Sequence, residues 1–207
     1  MAVHKTDEQL EELVRSFLRK IGLEHQVMPD LLTIITKIKQ LDPPFNYRRV
    51  PDSEMPDAEA RWHSDSRVIA MRESVFTGMQ NQVPRARMTV AHELSHYLHR
   101  HEGALNRSVE KTGIEKAVPI IRFQEREATR TGPILLAPEH LVPEGADVAT
   151  IVKMFGLSNE AAAYRKEEID GIRRRRRGEL RPLPQSIVDY LKEAKRRGHD
   201  VRTPLDD

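Results

Sequence analysis

Apolar residues in the first part of the chain recur with the spacing of amphipathic helices. Thr6, followed by Gln9, matches the capping box that starts a helix, and Gly22 favours its end. A second helix is predicted from about Pro29 to Asp42-Pro43-Pro44, where two prolines end it. The apolar positions of the two helices follow the i, i+3, i+4 pattern: Leu10, Leu13, Val14, Phe17, Leu18 and Ile21, then Leu31, Ile34, Ile35, Ile38 and Leu41. Residues 1–44 are therefore expected to form an N-terminal helical segment with a packing role.

The pattern then changes to the two-residue period of strands. Phe45-Asn46-Tyr47 indicates an edge strand, and the alternation of Ala58, Ala60 and Trp62 indicates a second strand. A turn at Ser64-Asp65-Ser66 leads into a third, buried strand at 68–71. We predict a short antiparallel hairpin, whose edge is the kind of surface to which an extended peptide adds as a strand. The fold class is therefore α+β, mostly helical with a small antiparallel sheet.

The next helix, predicted from about Pro84 to His101, carries His-Glu-x-x-His at residues 92–96. His92 and His96 lie on one face, one turn apart, which lets two imidazoles reach one metal ion. Glu93 lies beside that face, where it can take a proton from a hydrolytic water. The pattern therefore predicts a zinc site with Glu93 as the catalytic residue.

A charged surface helix that matches this pattern by chance is the alternative. Leu94 and Leu98 continue an apolar stripe, which indicates a buried helix, and buried charged groups need partners. His99 also lies on the metal-binding stripe, but Glu102 stands where a longer three-histidine motif would need histidine. We therefore expect His99 beside the metal rather than on it, and His101 to point elsewhere.

A catalytic zinc site needs a third protein ligand and an open position. The best source is 124–129, where Glu125 and Glu127 project about 160° apart, so that only one can face the metal. Asp170 and Glu139 are weaker alternatives. Residues 103–118 show weak periodicity and are expected to form a loop or a short helix.

The last third of the chain has the pattern of a helix, a turn and a helix. A helix ends at Gly156, and Ser158 can cap the next one. Together with Arg165 and the run Arg173–Arg177, this resembles a DNA-binding helix-turn-helix. The short side chains of 161–163 cannot read base edges, so we expect no specific DNA binding and assign no nucleic-acid-binding residue. Residues 143–207 are expected to form a helical segment that packs on the core.

Composition narrows the class of protein further. The 207 residues include no cysteine, which excludes disulfides and cysteine-ligated zinc and favours a reducing, cytoplasmic setting. Charged residues make up 32% of the chain, and no apolar run approaches the roughly 18 residues that span a bilayer. The first residues do not resemble a signal peptide. We expect no membrane association, and the sequence carries no signal for the oligomeric state.

Three segments between about residues 60 and 170 resemble the ImmA/IrrE family of zinc metallo-endopeptidases. The stretch 87–97, Arg-Met-Thr-Val-Ala-His-Glu-Leu-Ser-His-Tyr, is similar to the family's R-F-T-L-A-H-E-L-G-H-Y. Residues 125–129, followed by Leu-Leu-Ala-Pro at 135–138, resemble its E-x-Q-A-N/D helix that ends in L-L-M-P. Phe155-Gly156-Leu157-Ser158, with Ala161, Ala162 and Arg165, resembles its closing F-x-V-S-x-x-A-A-x-x-R stretch.

The resemblance implies a gluzincin-like metalloprotease core at residues 45–142, with Glu125 as the third zinc ligand and Glu127 in a non-ligand position. It also implies cleavage of a helix-turn-helix repressor supplied by another chain, and so a role in stress response and transcription regulation. The chain departs from the family pattern at Thr129, Ser95 and Pro133, of which Pro133 should break or kink its helix.

Two questions stay open at the level of sequence. The donor that stabilises the oxyanion could be His140, Tyr97 or Tyr164, and Thr129 stands one turn from Glu125 beside the metal. The alternative function is a non-enzymatic DNA- or regulator-binding protein with a structural or vestigial metal site. A fourth protein ligand such as His99 would favour that alternative.

Overall fold

The computed structural model describes residues 4–101, 104–108, 119–179 and 183–199. The chain divides into two compact units, 1–169 and 170–207. Within the described ranges, no helix is both long enough and apolar enough to cross a membrane. The helices are α1 (Asp7–Lys20), α2 (Leu31–Leu41), α3 (Glu73–Gln80), α4 (Pro84–His99), α5 (Pro119–Leu136), α6 (Val148–Phe155), α7 (Asn159–Arg176) and α8 (Gln185–Arg196). Two short 3-10 helices cover Asp52–Glu54 and Glu139–Leu141.

The first two helices lie where the apolar pattern predicts them. The Thr6 side chain accepts a hydrogen bond from the Gln9 N–H and the Gln9 side chain accepts one from the Thr6 N–H, so the capping box is confirmed. The predicted apolar face of α2 is buried at Ile34 and Ile38, but Leu41 at its end is 53% exposed. Both helices contribute to the main hydrophobic core.

The sheet has four strands in the order β1-β3-β2-β4, where β1 is Asn46–Val50, β2 is Ala58–His63, β3 is Val68–Arg72 and β4 is Ala104–Ser108. The predicted hairpin of β2 and β3 is confirmed, with Trp62 opposite Ile69. The prediction of a purely antiparallel sheet is wrong, because β1 pairs with β3 in parallel. Alternating polarity identifies a strand and its buried face but carries no information about the direction of its neighbour.

The fourth strand lies inside 103–118, where the sequence predicts a loop or a short helix. It pairs with β2 in an antiparallel arrangement that places Leu105 opposite Trp62. Residues 109–118, the rest of that segment, lie outside the described residues. As a result β2 is paired on both sides, and the sheet edges formed by described strands belong to β1 and β4. An added peptide strand would therefore have to pair with one of those two strands rather than with the hairpin.

Helix α3, between the hairpin and α4, was not predicted. Its Val75, Phe76 and Met79 are buried in the core. Gly78 allows this short helix to approach α4 closely, because a Cβ at that position would lie 2.9 Å from the Cβ of Ala86. The helix therefore braces the first turn of α4.

Helices α4 and α5 form the buried centre of the first unit. Val90, Ala91 and Leu94 of α4 are fully buried. At Gly132 of α5 a Cβ would lie 3.4 Å from the backbone nitrogen of His92, so the two helices come close at the turn that carries His-Glu-x-x-His. Helix α5 continues through Pro133 to Leu136, so the proline does not break the helix, which was one of the two predicted outcomes. Several residues around the proline are buried: Ala128, Thr131, Ile134 and Leu135.

The turn between α6 and α7 is attached to the start of α4. Gly156 adopts the left-handed conformation with φ of +64°, as expected for the glycine that ends α6. The buried Arg87 donates a hydrogen bond from Nη1 to the carbonyl oxygen of Phe155, at 2.9 Å, and a Cβ on Gly156 would clash with the same guanidinium. The turn of the helix-turn-helix pattern is therefore part of the core of the first unit.

Candidate metal centre

Three side chains of α4 and α5, those of His92, His96 and Glu125, form a triangle that fits one metal ion. The Nε2 atoms of His92 and His96 are 3.1 Å apart. Glu125 places Oε2 3.2 Å from Nε2 of His92 and Oε1 3.5 Å from Nε2 of His96. Tetrahedral zinc with bonds of 2.0–2.1 Å needs ligand atoms about 3.3 Å from each other. The metal ligands predicted from the sequence therefore lie together with the required spacing.

The spacing follows from the helices that carry the ligands. Positions i and i+4 place the two imidazoles one above the other on α4, and α5 brings its carboxylate across the close approach at Gly132. Glu127, two residues further along α5, projects away from this group. Among the described residues neither Glu139 nor Asp170 belongs to it.

Burial affects both the protonation of His96 and the hydrogen bonding of Glu125. Burial, together with the nearby His92 and His101, lowers the pKa of His96 to about 2, so the ring is neutral, as a metal ligand must be. Oε1 of Glu125 is buried and accepts no hydrogen bond from the residues that the structure describes. A buried acceptor without a partner costs about 1–3 kcal/mol. A zinc ion would satisfy that oxygen together with the two imidazoles, so the residues fit the metal.

Glu93 is fully buried and anchored to the sheet. Its Oε2 accepts a hydrogen bond from the backbone N–H of Trp62 in β2, at 2.8 Å. Its carboxylate is not part of the triangle of His92, His96 and Glu125. The bond to β2 fixes the orientation of this carboxylate relative to the strand, a contact that the sequence did not indicate.

A cavity of about 500 Å³ opens beside the triangle and is lined by His92 and Glu125. Its other walls come from α5 and α7 and include Thr129 and Tyr164, whose side chain is exposed. The cavity gives the triangle an open face of the kind that a catalytic zinc site requires.

The other two candidates for the oxyanion donor lie elsewhere. His140 donates from Nε2 to the carbonyl oxygen of Glu24, at 2.8 Å. The hydroxyl of Tyr97 donates to Asp42, at 3.0 Å, and its ring packs against Phe45. Neither side chain lines the cavity beside His92. Tyr164 and Thr129 therefore line the same cavity as His92 and Glu125, whereas His140 and Tyr97 do not.

A second buried cluster lies behind the metal triangle and contains His99, His101, Glu127 and Lys5. The prediction that His101 points elsewhere is wrong, because its Nδ1 lies 2.8 Å from Nδ1 of His96. Helix α4 ends at His99, Arg100 turns left-handed with φ of 55°, and the His101 N–H donates back to the carbonyl oxygen of His96. These bonds form a Schellman turn, whose left-handed position is usually a glycine. Because an arginine occupies that position here, the sequence did not predict the turn.

Comparisons of the chain with protein-family models and with curated proteins found no match. The argument for function therefore starts from the metal triangle, the cavity beside it and the motif residues that form them.

The metal-free protein should lose stability as the pH falls below about 6.5, the ordinary pKa of histidine. The reason is a difference in the pKa of His96 between the two states. In the unfolded chain His96 binds a proton below about pH 6.5, whereas in the folded chain it stays neutral down to about pH 2. His96 alone contributes a slope of about 1.4 kcal/mol per pH unit below that value. Burial also lowers the pKa of His99, which adds to the slope with the same sign.

Urea unfolding of the chelator-treated protein between about pH 7.5 and 5.5, followed by the fluorescence of the single tryptophan Trp62, measures this slope. His96→Gln should reduce the slope by about one proton. His25→Gln, at a side chain that is 84% exposed, should leave it unchanged. Equal slopes for the wild type and His96→Gln would contradict the prediction.

Proposed function

We propose that this chain is a zinc-dependent endopeptidase with a zincin-like core. One observation supports this above all: His92, His96 and Glu125 bring ligand atoms within 4.8 Å of one another, and His92 and Glu125 also line a cavity. No fourth histidine or carboxylate in the described part of the chain joins this group. Structural zinc sites are closed by four protein ligands, whereas catalytic sites use three and an open position. The resemblance of the three motif segments to the ImmA/IrrE metallo-endopeptidases agrees with this reading.

Each residue has a distinct role in the proposed hydrolysis. His92, His96 and Glu125 would hold a zinc ion, which would polarise the scissile carbonyl and lower the pKa of the attacking water to about 7. Glu93 accepts the proton of that water and passes it to the leaving amine, a role that contributes about 10²–10⁴-fold. Of the three candidates for the oxyanion donor, Tyr164 alone lines the cavity beside His92, which supports it in that role.

We propose a protein substrate that enters the cavity from another chain, inside the cell. The resemblance favours a helix-turn-helix repressor, whose cleavage would release the genes it controls. DNA itself is a poor candidate for the ligand of this chain, because Arg165 is only 1% exposed and is bound to Glu11 and to the carbonyl oxygen of Ala137. This arginine of the helix-turn-helix pattern therefore cannot reach a phosphate.

The purified protein should bind close to one zinc ion per chain. The double variant His92→Ala/His96→Ala should abolish binding, because it leaves one carboxylate as the only ligand of the triangle. His140→Ala removes a histidine that lies apart from the triangle and should bind zinc like the wild type. Elemental analysis after dialysis measures the content, and full zinc occupancy in the double variant would refute the site.

Proteolysis is tested by incubating the zinc-loaded protein with a peptide library derived from bacterial helix-turn-helix regulators. Cleavage products should appear with zinc and disappear after chelation, and mass spectrometry identifies the cleaved bonds. Zinc binding without cleavage of any peptide or co-expressed regulator would favour the non-enzymatic alternative instead.

A further inference from the structure

A chain of hydrogen bonds runs from the metal triangle through two buried residues to the partly exposed side chain of Lys5. Nδ1 of His96 lies 2.8 Å from Nδ1 of His101, and Nε2 of His101 lies 3.1 Å from Oε2 of Glu127. The other oxygen of Glu127 accepts a hydrogen bond from Nζ of Lys5, at 2.7 Å. His96, His101 and Glu127 are all buried. We call these three residues and Lys5 the histidine relay.

Only one set of hydrogen-bond directions in the relay is compatible with a metal on His96. His96 turns Nε2 towards His92 and Glu125, so a metal at the triangle requires Nε2 to be free of a proton. A neutral ring then carries its proton on Nδ1 and must donate it to His101. His101 accepts at Nδ1, carries its own proton on Nε2, and donates to the carboxylate of Glu127. The opposite direction would place a proton on Nε2 of His96 and prevent it from binding metal.

We propose that His101 and Glu127 are positioning residues that hold His96 in the tautomer and orientation that bind metal. The inference rests on the proposed zinc site only in that it takes Nε2 of His96 as a ligand. A carboxylate behind a metal-binding histidine raises the basicity of the ring and fixes its rotation. Here a second histidine lies between the two, placed there by the Schellman turn at Arg100. Lys5 balances the buried negative charge at the end of the relay.

A second metal ion is the competing explanation for the same residues, because ligand atoms of His99, His101 and Glu127 lie within 4.8 Å of one another. The ammonium group of Lys5 argues against it. Its Nζ is 2.7 Å from Glu127 and 3.4 Å from Nδ1 of His99, so a cation is already present among these ligands.

The bonds of His99 support the same conclusion. Oγ1 of Thr131 donates its proton to the carbonyl oxygen of Glu127, so it can only accept from Nε2 of His99, at 2.8 Å. The remaining lone pair of His99, on Nδ1, faces the ammonium group of Lys5. His99 is therefore fully used in this cluster without a metal, and it takes no part in the relay from His96 to Glu127.

The test measures zinc affinity by competition with a chromophoric chelator. His101→Phe keeps a buried ring but removes the acceptor for His96, and it should weaken zinc binding by about 10–100-fold, the usual effect of losing such a partner. Glu127→Gln should weaken it within the same range. His99→Phe is the matched control, a neighbouring ring stacked on His101 at 5.1 Å, and it should change the affinity by less than about threefold.

Nitrogen-15 NMR of the histidine rings in the zinc-loaded wild type gives a readout that does not depend on the folding of any variant. The relay requires the His101 proton on Nε2 and the His96 proton on Nδ1. A His101 proton on Nδ1, or equal zinc affinity for His101→Phe and His99→Phe, would overturn the relay while the zinc site stands. Two zinc ions per wild-type chain, one of them lost in His101→Phe, would replace the relay with a second metal site. Failure of the wild type to bind zinc at His92 and His96 would instead refute the proposed function.

Discussion

Replacing Glu93 by glutamine should lower the rate of proteolysis by about 10²–10⁴-fold while zinc content and fold are retained. Glutamine has the shape of glutamate, and its carbonyl oxygen can still accept the hydrogen bond from the Trp62 N–H. What it loses is the negative charge and the ability to take a proton from water. The rate of cleavage of a substrate peptide, measured at equal zinc occupancy, tests this expectation.

Glu93→Ala is the matched comparison, because it removes the hydrogen bond to β2 as well as the charge. A buried backbone N–H without a partner costs about 1–3 kcal/mol, so Glu93→Ala should be less stable than Glu93→Gln although both are inactive. Full activity in Glu93→Gln would show that this carboxylate is not the base. If Glu93→Gln instead keeps the full effect on its partner in cells without cleaving it, the chain acts by binding, with the metal site in a structural role.

The metal ligands were predictable from the sequence because they depend on short-range geometry. His92 and His96 are one helical turn apart on a helix whose other faces are apolar, and Glu125 is one of two carboxylates on the next buried helix. The capping box at Thr6 is equally local, since both of its partners lie within one turn. The histidine pair and the capping box are each placed by a single helix, whereas the choice of Glu125 over Glu127 came from the family resemblance.

The features that the sequence did not reveal depend on contacts between distant segments. The parallel pairing of β1 with β3 and the pairing of β4 with β2 leave no mark on the alternation of each strand. The histidine relay ends at Lys5, which is separated from Glu127 by 122 positions, in a segment expected only to pack. The contact of His101 with His96 was not predicted, because a helix that continued past His99 would point His101 away from His96. The turn that prevents this depends on a left-handed arginine, and the sequence pattern of an arginine does not indicate such a conformation.

The largest effect on stability should come from Arg165. Its guanidinium donates to Glu11 of α1, to the carbonyl oxygen of Ala137 and to Glu168, and only 1% of its side chain is exposed. Arg165→Met should lower the free energy of unfolding by about 3–5 kcal/mol, because it leaves the buried carboxylate of Glu11 without its counter-charge. Urea unfolding followed by Trp62 fluorescence measures the loss.

Two comparisons test whether the loss of stability in Arg165→Met comes from the buried unpaired charge or from the loss of any arginine. Arg177→Met breaks an ion pair with Glu179 in which both side chains are about half exposed, and it should cost less than about 1 kcal/mol. Glu11→Leu/Arg165→Met removes both charges and should be more stable than Arg165→Met, since no unpaired carboxylate remains. Equal stability of Arg165→Met and Arg177→Met would contradict a structural role for this pair.

The same variants also test whether the Arg165 ion pair, in the wall of the cavity, affects zinc binding at the triangle. Arg165 lies in α7, one residue after Tyr164, and does not belong to the triangle of His92, His96 and Glu125. Zinc that binds only the folded state adds a free energy set by its concentration and its dissociation constant. That increment should be the same in the wild type and in Arg165→Met, whereas His96→Gln should abolish it. A smaller stabilisation by zinc in Arg165→Met would mean that the ion pair also holds the metal ligands in place.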